Sequence, residues 1–530
     1  MRLMLKYSLK FANQYSWLLF LNVFLITALV GILTRMYFVF SRNGMWLDID
    51  TSRMTQYILT VYESGNIHAG PMYANGFLYP IVASIHSMIL GVDVFTYQFL
   101  IHPFFSLLLI FPSYALAKQV LNPYQNHNYS TLNILLYGYI LLNCSSVLIF
   151  VTSRGSHGLF TYIFIILYLS LLFNSMISSM KKIFLIVVFF FAVTSSNVYF
   201  GTVLLSILFS YWIVKKITTK NSFIKLNFAN IITINLVLLL LVIFIVYPAS
   251  STNYVNIMYL AFYKLKEFIE GSSNFSPIYP KYLSLWNSQI IYILLFQSDL
   301  AILGLSFMFV LYLLLRKRIQ YLTSDIICVY FSLGLLITLT LLLDMLRIGF
   351  GSNFGFRVLE LYLIVASLVL LQFFNIIIKH SRKYNKIIIL ILLIWLSISP
   401  ITATIKATAP SFVSGYLNSY SQSTAYSIKW LNQKISSPSY ISTVNEFQPK
   451  DYLENLITLF AFGKVLLSDK SNYIFLDHQI LWHIKWLKQH GYSDRYELTV
   501  AFIKKVPKHN KIYDSGYSTF FSLSNTSIPS

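Results

Sequence analysis

The stretch WLLFLNVFLITALVGILTRMYFVFSRNGMWLDID, residues 17–50, holds the decisive pattern. Residues 17–39 form an apolar run whose only charge is Arg35. A helix needs ~20 such residues to cross a bilayer. The run is too long for a signal-peptide core and lacks a small-residue cleavage site, so it is expected to remain as an anchor. Directly after it come Trp46-Leu-Asp48-Ile-Asp50, two carboxylates one residue apart at the mouth of a membrane span.

The rest of the chain repeats the first half of that pattern. Of 530 residues, 57% are hydrophobic and only 11% charged, with mean hydropathy +0.66. A soluble domain carries roughly 25% charged residues, so most of this chain faces lipid. Apolar runs near 17–39, 98–117, 131–151, 158–178, 183–197, 200–214, 228–247, 299–315, 326–343, 358–378 and 387–403 predict an all-α polytopic membrane protein of about eleven spans. Two of these, 183–197 and 200–214, read as a short pair meeting at one face. The formal charge is +21, but the basic residues sit between apolar runs. That fits anionic headgroups and topology, and it argues against a nucleic-acid partner. Two cysteines, Cys144 and Cys328, give neither a disulfide framework nor a Cys-based zinc site.

Counted by alternate loops, one set holds 17 Lys+Arg, the other 9, and 13 follow residue 404. The positive-inside rule then predicts a cytoplasmic N-terminus and an extracytoplasmic C-terminal region in a cell membrane. Residues 1–403 read as the transmembrane domain, with a first external loop at 40–97. Residues 404–530 change character and read as a small external α/β domain. Helices are expected at Ser421–Lys434 and Asp451–Phe462, strands at Tyr440–Val444 and Asn472–Leu476, and a hairpin about Ser515-Gly516. Asn274 and Asn525 begin glycosylation-type sequons.

The acids are sparse and uneven. Asp48, Asp50, Glu63 and Asp93 are the only four before Glu267, and all fall in the first external loop. In an extended segment Asp48 and Asp50 would point the same way. Such a pair suits a general base or a divalent cation such as Mg²⁺ or Mn²⁺. The plainer alternative makes Asp50 the N-cap of an amphipathic helix, Thr51–Tyr62, striped by Met54, Tyr57, Ile58, Val61 and Tyr62. Glu63 and Asp93 read as solvated loop charges.

Other groups gather at the same predicted face. Arg154-Gly-Ser-His157 opens the span at 158, with Arg154 and His157 expected on one helix face. An external arginine runs against the charge bias and suits phosphate, while His157 also fits a simple helix start. Asp344 and Arg347, and Arg357 and Glu360, are spaced as local ion pairs flanking a Gly-rich turn. Glu360 lies a turn inside the membrane, where ionisable groups default to function. Asn197 and Tyr199, in Ser195-Ser-Asn-Val-Tyr, either bond a sugar or cap helices. Asp299 is expected to begin a helix.

Taken together, these motifs resemble the GT-C superfamily of integral-membrane glycosyltransferases. The superfamily includes oligosaccharyltransferase catalytic subunits, protein O-mannosyltransferases and lipid A aminoarabinose transferases. The likeness rests on Asp48 and Asp50 after the first span, the helix Gln56-Tyr-Ile-Leu-Thr-Val-Tyr-Glu-Ser-Gly65, and Leu78-Tyr-Pro80 opening a short helix that ends at Gly91. Arg154, Arg357 and an external tail carrying Ile428-Lys-Trp430-Leu complete it. Two departures stand out: the familiar adjacent Asp-Glu is Asp-Ile-Asp here, and no Trp-Trp-Asp-type acceptor motif is present. The resemblance implies inverting transfer of a sugar from a polyprenyl-phosphate donor to a protein, lipid or glycan acceptor. Asp48 or Asp50 would be the base, and Arg154, Arg347 or Arg357 would hold the lipid phosphate. The loop 248–287, with Tyr254, Tyr259, Phe262 and Tyr263, would close over the acceptor. Rival readings are a lipid or polysaccharide transporter or polymerase, and a non-catalytic scaffold of the same fold. A transporter would carry charges at the membrane midplane and inverted repeats, and the sequence displays neither.

Overall fold

The computed structural model describes residues 2–40, 47–66, 76–121, 134–174, 179–218, 231–243, 290–316, 322, 324–345, 351–380 and 385–408, with short strands beyond. The chain is a multi-pass helical membrane protein. Helix α1 spans Arg2–Phe40, and a two-residue strand β1 (Leu47–Asp48) leads straight into α2 (Ile49–Ser64). Then follow α3 (Leu78–Leu90), the kinked span α4 (Thr96–Val120), and a broken span, α5 (Ile134–Cys144) and α6 (Ser146–Ser153). Next come α7 (Gly158–Phe173), α8 (Ser179–Ser196), α9 (Val198–Thr218) and α10 (Ile231–Ile243). Helices α11 (Ile290–Leu315), α12 (Ser324–Met345), α13 (Gly351–His380) and α14 (Asn385–Thr408) complete the body. Among the described residues five helices are long and apolar enough to cross a membrane, or six if the broken pair counts as one.

Burial sorts these helices. In α13 the window Arg357–Phe374 is 83% buried, whereas Leu21–Phe40 of α1 is 33% buried. A helix apolar all round and buried all round is a central one. The large exposed side chains, such as Leu29, Phe111, Phe307, Leu335 and Ile391, lie on the peripheral helices, where lipid rather than water is their solvent.

With no water available inside the body, every broken backbone bond must find a partner. Pro400 lies inside α14 and cannot donate to the Leu396 carbonyl one turn back. The Tyr139 hydroxyl of α5 donates to that carbonyl instead, at 2.9 Å. The repair ties α14 to the broken span. Helix α3 ends on Gly91, whose φ of 64° lets its N–H reach back to the Ser87 and Met88 carbonyls.

Several expectations change at the level of the chain trace. Residues 131–151 do not form one straight span: α5 and α6 meet at a bend of 73°. Helices α8 and α9, expected to be short, run 18 and 21 residues because Lys181, Lys182, Lys215 and Lys216 continue them. Beyond residue 408 the described segments are strands only. Strand β2 (Ser419–Tyr420) pairs antiparallel with β1, opposing Asp48 to Ser419. The others are β3 (Ser439–Ser442), β4 (Val465–Leu467), β5 (Tyr473–Asp477), β6 (Asn510–Asp514) and β7 (Ser518–Ser522). They form one mixed sheet in the order β4-β3-β5-β7-β6, with β6 and β7 antiparallel. The helices expected at 421–434 and 451–462, the loop 248–287 and both sequons fall outside the described residues.

Candidate functional site

The acidic segment is built by a strand that turns into a helix. Asp48 is the last residue of β1 and Asp50 the second of α2. The cap position therefore falls to Asp48, and Asp50 stands in the first turn. The extended alternation expected across these two residues does not occur, because the backbone changes conformation between them. The apolar stripe of α2, expected along the membrane interface, packs inside the protein instead: Met54, Tyr57, Ile58 and Val61 bury against Tyr79 and Ala83 of α3 and Val94 and Tyr97 near α4, and Tyr62 is half-buried.

From α2 a polar bridge leads to the arginine corner. The Thr55 hydroxyl donates to Gln98 Oε1 at 2.6 Å, and Gln98 Nε2 donates to the Gly155 carbonyl. A Cβ at residue 155 would lie 2.1 Å from Gln98 Cγ, so only glycine admits the contact. Arg154 and His157 are not on one helix face. Arg154 ends α6 in an extended conformation and its N–H bonds the Phe150 carbonyl at 3.0 Å. His157 immediately precedes α7. The residues between them turn the chain instead of continuing a helix.

Around this corner the polar side chains converge. Asn197 joins α8 to α9, and its Oδ1 accepts from the backbone N–H of Tyr199 at 3.0 Å and Phe200 at 3.4 Å. That fixes its nitrogen toward His157 Nε2, 2.7 Å away, so His157 accepts and carries its ring proton on Nδ1. Asn197 is thus both helix cap and histidine anchor. From α13, Arg357 Nη1 pairs with Glu360 Oε1 at 2.9 Å, and its guanidinium lies 5.5 Å from the Phe200 ring centre. Glu360 is fully buried, and its second oxygen takes a hydrogen bond from Tyr162 of α7. Both Arg154 and Arg357 act electrostatically on Tyr162 and Glu360. The buried hydroxyls of Ser153, Ser156 and Ser195 have no hydrogen-bond partner among the described residues. Tyr199 is half-buried at the start of α9. Arg347 lies outside the described residues.

Two expectations on acids are corrected. Asp299 does not begin a helix; it lies inside α11, bonded by the hydroxyls of Ser145 and Ser146 and 3.6 Å from Lys406 Nζ. The ionisable groups are therefore not confined to the helix ends. Asp93 is not simply solvated: it accepts from the Thr96 N–H at 2.9 Å and its hydroxyl at 2.5 Å. Partial burial pushes its carboxyl up, but those hydrogen bonds outweigh that and hold it below the ordinary aspartate range. Sequence reasoning missed Gln98, Tyr162 and Lys406. Lys406 and Asp299 carried a legible signal as ionisable groups flanking or within apolar runs.

For a divalent cation the donor chemistry is partly in place. Asp48 and Asp50 are hard oxygen ligands two residues apart. Among the described residues no cluster of three His, Cys, Asp or Glu forms.

No family model matches the sequence, and no curated protein matches it in sequence. Solved structures do. One is the archaeal oligosaccharyltransferase AglB from Archaeoglobus fulgidus in complex with an inhibitory peptide and a dolichol-phosphate. It superposes with a TM-score of 0.53 at 12% identity, over 87% of this chain and 69% of that one. The A. fulgidus oligosaccharyltransferase in complex with Zn and sulfate gives 0.55 at 12% identity, over 84% and 62%. The same enzyme tethered to an acceptor peptide containing the NVT sequon gives 0.55 at 12%, over 87% and 69%. The superposition spans the helical body and the segments after it: the chain shares the fold of these A. fulgidus oligosaccharyltransferase structures.

Proposed function

We propose that the protein transfers a sugar from a polyprenyl-phosphate donor to an acceptor at the extracytoplasmic face of a cell membrane. The observation that carries this is the bridge from α2 through Gln98 to the Arg154 corner, where Arg357 and Glu360 also arrive. It brings the helix bearing Asp50 to a place that holds two arginines. The A. fulgidus neighbour with a bound dolichol-phosphate supports a lipid-linked donor. With the N-terminus cytoplasmic, this corner faces outward and the segment after α14 forms an external domain, with β2 laid against β1.

The chemistry follows from the groups. Asp48 or Asp50 takes the proton from an acceptor hydroxyl or amide. The freed lone pair attacks the anomeric carbon from the face opposite the lipid phosphate. As the new bond forms, the bond from that carbon to the phosphate oxygen breaks, and its electrons leave on the phosphate. The configuration inverts. Arg154 and Arg357, joined by Arg347, hold the departing phosphate through charge-assisted bonds. The Ser153, Ser156 and Ser195 hydroxyls are spare donors beside them, and Asn197, Tyr199 and His157 shape the sugar side. A divalent cation held by Asp48 and Asp50 would offset charge developing on the leaving group.

The test substitutes each acid in turn. Asn keeps shape and caps a helix as well as Asp does. If the pair supplies the base, Asp48→Asn or Asp50→Asn lowers turnover ~10²–10⁴-fold while folded protein is still recovered from membranes. Near-normal transfer by both variants, assayed with lipid-linked sugar, would sink the assignment.

A further inference from the structure

A helix broken inside a membrane exposes its last carbonyls and first N–H groups where no water can satisfy them. The break between α5 and α6 has no proline or glycine to explain it; the residues there are Asn143, Cys144, Ser145 and Ser146. What meets the two ends is charge of the complementary sign. At the carboxyl end of α5, Arg35 Nη1 donates to the Leu142 carbonyl at 2.9 Å. This guanidinium is 0% exposed, and its other partners are the hydroxyls of Ser106 at 2.7 Å and Thr34 at 2.9 Å. Among the described residues none of its partners is a carboxylate. At the amino end of α6, Ser145 accepts from the Leu148 N–H at 3.2 Å. The Ser145 hydroxyl donates to Asp299 Oδ1 at 2.7 Å, and Ser146 donates to Oδ2.

A helix end carries the equivalent of about half a charge, negative at its carboxyl end and positive at its amino end. The cation sits at the negative end and the carboxylate at the positive one. We infer that the break is a charge-locked corner, and that Arg35, Asp299 and Lys406 are positioning residues for Arg154. Helix α6 is the lever. Its eight residues make a rod about 12 Å long, with Asp299 at one end and Arg154 closing the other. Tilting that rod by about 10° would move Arg154 by roughly 2 Å, and positional errors of that size cost a binding site dearly. Lys406 bonds Asp299 from the last turn of α14, twelve residues or so before β2 meets β1.

This inference rests on the phosphate role of Arg154 only in its last step, and the experiment separates the two. The decisive variant is the charge swap Asp299→Lys with Lys406→Asp. It keeps an ion pair between α11 and α14 but sets a cation against the amino end of α6. The full-length protein in lipid nanodiscs is compared with wild type by hydrogen exchange over residues 146–153 and by affinity for undecaprenyl phosphate. A charge-locked corner predicts at least tenfold faster exchange in that segment, unchanged exchange in α13, and affinity weaker by five- to tenfold. Wild-type exchange in the swapped protein would overturn the inference, leaving the pair as a strap between two helices. Should the swap not fold, the charge-removing variants Asp299→Asn and Arg35→Gln take its place with the same expectations, and wild-type exchange in both overturns it. Wild-type protein that fails to bind undecaprenyl phosphate counts against the transferase reading alone, since the exchange measurement does not depend on it.

Discussion

Arg357 and Glu360 lie three residues apart on one helix and meet at 2.9 Å, whereas Lys406 and Asp299 come from α14 and α11 and meet at 3.6 Å. The first pair is made by local geometry, since positions i and i+3 are neighbours on any helix. The second exists only because the whole body has assembled. Their surroundings differ in the same sense. In direct contacts Glu360 has Arg357 and one phenol, with Arg154 acting on it from further off, while Asp299 has Lys406 and two hydroxyls at a helix start. A pair with few other partners is fragile to loss of one member, and a pair embedded in a network is buffered.

The largest expected effect tests that fragility. Arg357→Met removes the direct ion-pair partner of a buried carboxylate and should cost about 3–5 kcal/mol of stability, read as thermal unfolding in detergent. Adding Glu360→Gln should recover most of it, because removing both charges of a buried pair is close to neutral. If the double variant is stable yet inactive in transfer, Arg357 serves substrate. If it is stable and active, the pair is purely structural. The same two variants thus decide between architecture and chemistry.

Lys406→Met should cost less, about 1–3 kcal/mol, because Asp299 keeps its two serine hydroxyls. A loss as large as that of Arg357→Met would erase the contrast between the buffered and the fragile pair. The smallest effect is expected at Asp93, an exposed carboxylate with only Thr96 and nearby backbone to hold it. Its carboxyl is held below its ordinary value, so its contribution is present at neutral pH and fades as pH falls through the lowered value. Asp93→Ala should lose about 1 kcal/mol or less at pH 7, and the difference from wild type should vanish in acid. A pH-independent difference would mean the cap works through shape rather than charge.

The same division explains what the sequence disclosed. The apolar runs behind the described helices, the stripe of Met54, Tyr57, Ile58 and Val61, and the Arg357–Glu360 spacing are all local patterns. The strands near residues 440, 473 and 511–522 were legible for that reason too. The break at Ser145 was not, because no helix breaker marks it; its cause is Arg35 and Asp299 arriving from other helices. Asp299 reads as a helix start because nothing near residue 299 announces Lys406. Arg154 and His157 were placed on one helix face because the turn between them is enforced by Gln98, which no pattern around residue 155 announces. The acidic pair was found by its scarcity, whereas its geometry depended on where β1 ends.

Gln98 has a consequence for how the molecule would meet its substrates. The Gly155 carbonyl can only accept, so the amide must present nitrogen to it and oxygen to Thr55, and neither glutamate nor an aliphatic residue could do both. One side chain therefore pegs the helix bearing Asp50 to the turn bearing Arg154, with glycine on the far side leaving no slack. Two groups pegged in this way cannot close on a ligand independently, as the jaws of a clamp do. Their spacing is settled when the chain folds, and a donor too short or too long for that spacing would be rejected without any motion of the protein.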